Sequence, residues 1–458
     1  MKNPALALFL VAYLTALGRF WRRRVIRYAM ADGFAATGWD FGLGAAIWSY
    51  AAFALNACHV PLSDVGLYAL MAAGLLGPFA VRRARRDPLR DTGPVGKPTG
   101  WMGPGLAALI LIASIVTVAL QSAASPMVMW DSIVLYGFKA KILFHEHTFH
   151  TAAFQDASRL HWSADYPLLV PYVESTYYRL LGMTDDRWVR MIFLAFWVGW
   201  LGLIKGIFDD HSTADLGWWA AAFVGSLPLF SDNFMGQGAS GFADIPLAFY
   251  WTGFLALLAR NMDDSANGGV APAASGIVFT AIFGLGCAFT KTEGAPLVFV
   301  ALVAMFAGRT HPQRLLLLKV TALIVLLLLP WNAVRAQLPH NATHYWQWPA
   351  AALHGFGPKI VLLLRSIVGE VIFLATWGIF WLGALLVLFV PSRFWPYPGA
   401  AKRLGVIAAL QVLLYLYVYL IYPQSLALLI PITLTRLLIH LMGPIILAAA
   451  WRCDENMA

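Results

Sequence analysis

Charged residues are scarce in this chain. Asp, Glu, Lys and Arg make up 12% of its 458 residues, whereas hydrophobic residues make up 60%. Soluble globular domains carry about 25% charged residues. A soluble fold cannot hide so much apolar surface, because its exterior must remain largely polar. This composition, with a mean hydropathy of +0.68, excludes a soluble globular protein and indicates a polytopic membrane protein.

Cysteines and nucleotide-binding motifs are also sparse. The cysteines Cys58, Cys287 and Cys453 lie far apart, without the spacing of a metal or redox site. Neither a GxGxxG motif nor a P-loop occurs, so nothing indicates a nucleotide-binding fold. The net charge of +9 does not point to nucleic acid, because the basic residues stand in short blocks between apolar runs.

Apolar runs that could cross a bilayer recur along the whole chain. A helix needs about 20 residues for this, and about twelve or thirteen runs qualify. The first run is short, but it lacks a clear signal-peptide cleavage site, so we expect it to be retained. We predict an all-α polytopic fold with spans at roughly 4–18, 41–59, 65–81, 103–124, 189–207, 215–231, 245–259, 275–289, 295–307, 315–331, 367–390, 405–422 and 437–450.

The basic blocks predict the orientation of these spans. Arg and Lys cluster at 19–27, 81–90, 308–314 and 401–403, which all fall on one side of the predicted topology. The positive-inside rule makes that side cytoplasmic. The opposite face then exposes the segments 125–188, 232–244, 332–366 and 423–436, together with the turn TKTEG at 290–294.

The segment 125–188 is the largest loop of the predicted outer face. It is rich in Asp, His, Trp, Tyr and Lys and lacks the Gly, Ser or Pro bias of a linker. The run 131–144 places its apolar residues broadly on one side and Lys139 elsewhere, which favours a helix lying in the membrane interface. A second such helix is predicted over 166–182, begun by Pro and ended by Gly.

Ionisable residues occur at the membrane boundary in five segments that share the predicted outer face. Groups at such depth are costly and usually line a polar cavity. The segments are MVMWDSIVLYGFKAKIL with Asp131, HWSADYPLLVPYVES with Asp165, GFADIPLAFYW with Asp244, CAFTKTEGAPL with Lys291 and Glu293, and TLTRLLIHLMGP with Arg436.

These segments, in their order along the chain and their predicted side of the membrane, resemble those of a known family. WDSIVLYGFKA, ADYPLLVP, ADIPLAF, FTKTEG and the late Arg–His–Pro helix are similar to segments of the multispanning GT-C glycosyltransferases, in the bacterial branch related to protein O-mannosyltransferases. The resemblance covers roughly residues 103–450, preceded by membrane helices of unassigned role in 1–102 and followed by a cytoplasmic tail at 451–458. Many relatives carry an acidic pair at the first string, whereas here Ser132 follows Asp131.

The resemblance implies an enzyme of the bacterial inner membrane with its active site on the periplasmic face. It implies inverting transfer of a sugar from a polyprenyl-phosphate donor to a hydroxyl of a glycan, lipid or protein acceptor. Asp131 is then expected to be the general base, and Arg436 and Lys291 to stabilise the lipid phosphate. The resemblance implies no definite cofactor and leaves a divalent metal open, for which Asp165 and Asp244 are candidate ligands. The other expected substrate-binding residues are Asp165, Asp244, Glu293, His161, Tyr166 and Lys139.

Five of these residues also have a structural explanation. Asp131 and Asp244 precede apolar runs, where Asp is a favoured helix N-cap. Lys291 and Glu293 fit a solvated turn between antiparallel helices. Arg436 is close enough to a helix end to reach lipid headgroups by snorkelling.

Two other functions use a similar architecture. One is a different lipid-linked glycan enzyme, such as a ligase or polymerase, although these typically place their large outer loop late in the chain. The other is a transporter for a lipid or small solute, which would predict internal repeats with broken helices near the middle of the membrane. The two halves of this sequence differ in loop length and charge placement, so the residues favour an enzyme.

Overall fold

The protein is helical throughout the part of the chain that the structure describes, and no β-strand occurs there. The structure is a computed structural model. It describes residues 4–28, 30, 33–80, 102–124, 126–156, 164–212, 215–231, 238, 240–267, 274–339, 356–395, 397–422 and 425–454.

Most helices are connected by short turns. In chain order they are α1 (Pro4–Trp21), α2 (Phe34–Ala57), α3 (Asp64–Ala80), α4 (Met102–Ala124), α5 (Phe138–Glu146), α6 (Ala152–Gln155), α7 (Leu169–Leu181), α8 (Arg190–His211), α9 (Leu216–Gly225), α10 (Pro228–Ser231), α11 (Asp244–Asn267), α12 (Ala274–Thr290), α13 (Gly294–Phe306), α14 (His311–Arg335), α15 (Phe356–Ile372), α16 (Leu374–Trp377), α17 (Phe380–Phe389), α18 (Gly399–Ile421) and α19 (Leu426–Arg452). Two π-helical stretches, Arg22–Ile26 and Ser132–Gly137, adjoin α1 and α5.

The helices confirm a multi-pass membrane protein. Within the described residues, six are long and apolar enough to span a bilayer, and five shorter ones are apolar as well. The predicted number of about twelve or thirteen spans stays a prediction. The long ones are Pro4–Ile26, Pro104–Ala124, Arg190–His211, His311–Arg335, Gly399–Ile421 and Leu426–Arg452.

The predicted spans coincide with helices except where the chain breaks. The run 367–390, predicted as one span, is divided among α15, α16 and α17. Phe373 leaves the helical region, and Gly378 adopts a φ of 50°, in the left-handed region that favours glycine. The run 215–231 is likewise split into α9 and α10 just before Pro228, whose ring is incompatible with a continuing helix.

The centre of the fold is α11, whose residues from Asp244 to Ala259 are buried on every side. It packs against α8, α12 and α19, and α2 packs against α8 in turn. Large aromatic side chains fill these interfaces, including the fully buried Trp200 and Trp251. This packing fixes the first residue of α11 next to the end of α12 and the middle of α19.

Polar contacts sort the molecule into two ends that agree with the two predicted faces. One end has the pairs Asn56–His147, Asp165–Arg335, Asp244–Lys291 and Asp131–Arg436. The opposite end has Arg22–Asp40, Arg260–Asp210, His211–Asp454 and Arg403–Asp263. The assignment of the first end to the periplasm stays a prediction from the basic blocks.

The loop between α4 and α8 forms the two helices that its sequence predicts. The π-helical stretch and α5 cover the first, and α7 covers the second, ending at Gly182 with a φ of 73°. α7 is buried along most of its length and packs against α2 and α5. Protein surrounds this helix, and the expected placement in the membrane interface stays a prediction.

Candidate functional site

Asp244 is completely buried at the start of α11, where three nitrogen-bearing side chains surround its carboxylate. Lys291, in the turn after α12, donates from Nζ to Oδ1 over 2.8 Å. Arg436 of α19 donates from Nε to Oδ2, also over 2.8 Å. His440 follows Arg436 by one helical turn, and its Nε2 lies 3.2 Å from Oδ1. Residues from three separate segments therefore meet at one carboxylate.

Arg436 joins Asp244 to Asp131. Its Nη1 lies 2.5 Å from Asp131 Oδ2, so one guanidinium bridges two carboxylates. Its Cζ also lies 4.0 Å from the centre of the Phe242 ring, in the geometry of a cation–π contact. The Arg436 side chain is buried in protein, so it does not snorkel to lipid headgroups.

Lys291 and Glu293 form a charged turn in which Lys291 is buried and the Glu293 side chain is 31% exposed, so the turn is only partly open to solvent. Lys291 Nζ lies 3.1 Å from Glu293 Oε1, and Thr292 donates to the other oxygen of Glu293. Burial lowers the pKa of Lys291, but the Asp244 and Glu293 carboxylates outweigh burial and raise it. Burial raises the pKa of Glu293, and the Lys291 ammonium more than reverses this. Both side chains therefore stay charged at neutral pH.

Neither aspartate acts as the helix cap that its position suggests. Asp131 has a helical φ of −63° and ψ of −37°, and its side chain makes no capping hydrogen bond. The Asp244 carboxylate accepts hydrogen bonds from Lys291 and Arg436 instead of from the backbone of α11. The structural explanation by capping is therefore wrong for both residues.

Ser132 and Gly241 explain how Asp131 reaches the start of α11. The buried Ser132 hydroxyl donates to the carbonyl of Ser240 over 2.9 Å, which ties the π-helical stretch to the segment before Asp244. Gly241 has a φ of 84°, and a Cβ there would lie 2.8 Å from the Cβ of Ser132. An ionised acid at position 132 has no proton to donate to this carbonyl. Ser132 thus has a defined structural role in joining the two segments.

The connected side chains carry unequal numbers of opposite charges. Asp131, Asp244 and Glu293 supply three carboxylates, whereas Arg436 and Lys291 supply two cations. Burial lowers the favourable hydration of every one of them, so each charge depends on its partners. With His440 neutral, the network carries one excess negative charge.

A cavity of about 320 Å³ opens beside the exposed edge of this network. Asp131 and Arg436 line its polar side, and the Asp131 side chain is 24% exposed. The rest of the wall is mostly apolar, and three of its residues are strongly exposed: Trp130 at 65%, Phe373 at 55% and Ile432 at 59%. The cavity therefore combines an ion pair with an apolar opening.

Lys139, Asp165 and Tyr166, also predicted as site residues, form a neighbouring polar group. Lys139 was expected away from the apolar side of its helix, but it is buried, because α5 packs against α7. Its Nζ donates to the Tyr166 carbonyl over 3.3 Å, and burial lowers its pKa to about 7. Asp165 pairs with Arg335 over 3.2 Å. The role of these three residues in substrate binding stays a prediction.

The two candidate metal ligands, Asp165 and Asp244, form ion pairs with separate basic side chains. Asp165 pairs with Arg335, and Asp244 with Lys291 and Arg436. Among the described residues, no group of three or more His, Cys, Asp or Glu could hold a metal ion. His161, the remaining predicted residue, lies outside the described residues.

Two residues near the site were given no role from the sequence. His440 stands four residues after Arg436, and this spacing places both on one face of a helix. Glu370 is the single acidic residue in its apolar run, and an ionisable residue in such a run is itself a signal. It lines the cavity together with Asp131 and Arg436.

The chain matches no protein-family model, and it resembles no curated protein or solved structure significantly. The described residues define a multi-pass helical membrane protein with a buried charge network beside a partly apolar cavity. Any function for this protein therefore has to be argued from these residues.

Proposed function

We propose that the protein is an inverting glycosyltransferase that uses a polyprenyl-phosphate sugar as donor. It transfers the sugar to an acceptor hydroxyl on the periplasmic side of a bacterial inner membrane, with Asp131 as general base. The observation that carries this proposal is the Asp131–Arg436 ion pair in the wall of a cavity with an apolar opening.

The cavity suits an amphiphile that has a phosphate between a polar and an apolar part. The exposed side chains of Trp130, Phe373 and Ile432 offer an apolar surface to a prenyl chain. Arg436 offers a guanidinium, which matches phosphate oxygens in charge and geometry. Its Nη1 group is already committed to Asp131, so phosphate and Asp131 compete for the same charge.

This competition couples the two halves of the proposed reaction. The acceptor oxygen attacks the anomeric carbon and gives its proton to Asp131, and the bond from that carbon to the phosphate oxygen breaks with its electron pair. The proton removes the negative charge of Asp131 and weakens its bond to Arg436. The guanidinium is thereby released towards the phosphate at the moment when negative charge develops on it.

Asp244 holds Arg436 in place in this mechanism, while Lys291 binds Asp244 and Glu293 binds Lys291. Asp244 is completely buried and has two cationic partners, which makes it a poor proton acceptor for a substrate. It fixes the Nε side of Arg436 and leaves the Nη1 side facing Asp131. Lys291 acts on Arg436 indirectly, because it binds the other carboxylate oxygen of Asp244.

The proposal is tested with purified protein and a panel of polyprenyl-phosphate hexoses and pentoses. Release of the lipid phosphate together with transfer of labelled sugar supports it. Asp185→Asn is a suitable control, because Asp185 pairs with the exposed Arg187 in the same loop and lies outside the cavity lining. Absence of turnover with every donor and a crude acceptor extract would contradict the proposal.

One observation favours the alternative of a transporter. α15, α16 and α17 replace one continuous span by a broken one, and the break at Phe373 adjoins the cavity. Discontinuous helices of this kind surround substrate sites in transporters. Movement of a polyprenyl-phosphate sugar across proteoliposomes without sugar transfer would support this second function.

A further inference from the structure

Glu370 is an acidic residue on the wall of the same cavity, in the last turn of α15. It lies opposite α19, where Thr435 immediately precedes Arg436. Nothing in the proposed proton transfer or phosphate contact uses it. A carboxylate in an otherwise apolar run at membrane depth is costly and points to a function.

The hydrogen bonds of Glu370 leave one of its two oxygens available. Thr435 donates from Oγ1 to Oε1 over 2.6 Å, and Trp377 donates from Nε1 to the same oxygen over 3.0 Å. Within the described ranges, no Lys, Arg or His forms an ion pair with this carboxylate. Two neighbouring helices therefore fix Glu370 through Oε1, while no donor to Oε2 occurs among the residues that the structure describes.

The position of Glu370 relates it to the transferred group. Arg436 is the residue proposed to meet the phosphate, and Glu370 is held by the residue next to it on α19. In the donor, the sugar is attached directly to that phosphate. A sugar in the cavity therefore lies within reach of the Glu370 carboxylate, which can only accept hydrogen bonds when ionised.

We propose that Glu370 binds an O–H or N–H group of the transferred sugar and contributes to the choice of sugar. This inference rests on the proposed function. A site that accepts a hydrogen bond from a sugar group discriminates against analogues lacking that group, because the carboxylate is then left without its partner.

Glu370→Gln is the variant that tests this role. The Gln carbonyl oxygen can still accept from Thr435 and Trp377, so the wall of the cavity should keep its shape. The free carboxylate oxygen is replaced by an NH₂ group, which cannot accept a hydrogen bond. Glu146→Gln is the matched control, because Glu146 is exposed at the end of α5 and outside the cavity lining.

The experiment measures the affinity of wild type and both variants for two short-chain ligands, an isoprenyl phosphate and the same lipid carrying a hexose. Glu370→Gln should weaken binding of the hexose-bearing lipid by about tenfold or more, since a charge-assisted hydrogen bond is lost. Binding of the bare isoprenyl phosphate should stay unchanged, and Glu146→Gln should behave as wild type for both.

The possible results separate the inference from the proposed function. Wild-type affinity of Glu370→Gln for the hexose-bearing lipid overturns the inference but leaves the proposed function intact. An equal loss for both lipids also overturns it, since Glu370 would then only support the cavity wall. If wild-type protein binds neither lipid, the proposed function fails and the inference fails with it.

Discussion

Replacing Asp131 by Asn separates its chemical role from its place in the charge network. Asn has nearly the same shape and can still accept a hydrogen bond from Arg436 Nη1, but it does not take up a proton at neutral pH. Arg436 keeps its bond to Asp244, so no buried cation is left without a counter-charge. Fold and thermal stability should therefore survive the substitution.

The expected effect on catalysis follows from the loss of the proton acceptor. General base catalysis typically contributes about 10²- to 10⁴-fold, so turnover should fall by about a hundredfold or more. The affinity for the phosphate of the donor should change in the opposite direction and increase. Without the negative charge of Asp131, Arg436 meets a phosphate with less competition, and the affinity for an isoprenyl phosphate should rise.

Two measurements on purified protein check this prediction: sugar transfer under single-turnover conditions and equilibrium binding of isoprenyl phosphate. Reduced turnover with tighter binding of isoprenyl phosphate is the expected pair of results. Near-normal turnover would refute Asp131 as the base. A large loss of phosphate affinity would show instead that the carboxylate organises the phosphate site.

Three further predictions follow from the same structure. Asp244→Asn is chemically the same change as Asp131→Asn, but it should lower the free energy of unfolding by about 3–5 kcal/mol, because Lys291 and Arg436 lose a buried counter-charge. A thermal-shift measurement that finds wild-type stability would contradict the anchoring role of Asp244. Cys58 is exposed, and Cys453 is half-buried at the opposite end of the molecule. An impermeant thiol reagent should therefore label Cys58 in intact cells and Cys453 only after permeabilisation. The reverse labelling pattern would overturn the predicted orientation in the membrane. Burial lowers the pKa of Lys139 from 10.5 to about 7. Between about pH 7 and pH 10.5 the unfolded chain therefore binds a proton at Lys139 that the folded protein does not, and the stability of the fold decreases as the pH falls through this range. Lys139→Met should raise Tm at pH 7 and flatten this pH dependence, and a lower Tm would show that the amine stabilises the fold.

The positions of the helices could be predicted because apolar runs at membrane length leave few alternatives to helix. The break within 367–390 could not be predicted, since Phe373 carries no sequence signal for a helix end. Gly378 in an apolar run is equally compatible with a continuous span. The packing of α16 and α17 against α10 and α19 decides the conformation there, and packing between distant segments is not visible in a local pattern.

The members of the site could be predicted better than their connections. Asp131, Asp244, Lys291, Glu293 and Arg436 stood out because each brings an ionisable group to the same membrane boundary. Their pairing joins residues separated by 47, 192 and 305 positions, and no spacing rule reaches that far. Lys139 was misplaced for a related reason, since α7 covers the side of α5 that a helix lying in the interface would expose.

The charge balance of the network is consistent with the proposed catalytic role of Asp131. A purely structural cluster gains most when its buried charges cancel, because an uncompensated buried charge is strongly destabilising. With His440 neutral, the excess is one negative charge, and Asp131 is the carboxylate of the network that lines the cavity. Asp244 and Lys291 are buried deeper and hold Arg436 from behind. A proton arriving from the cavity at Asp131 would neutralise the network and free one face of Arg436, which is the change that the proposed sugar transfer uses.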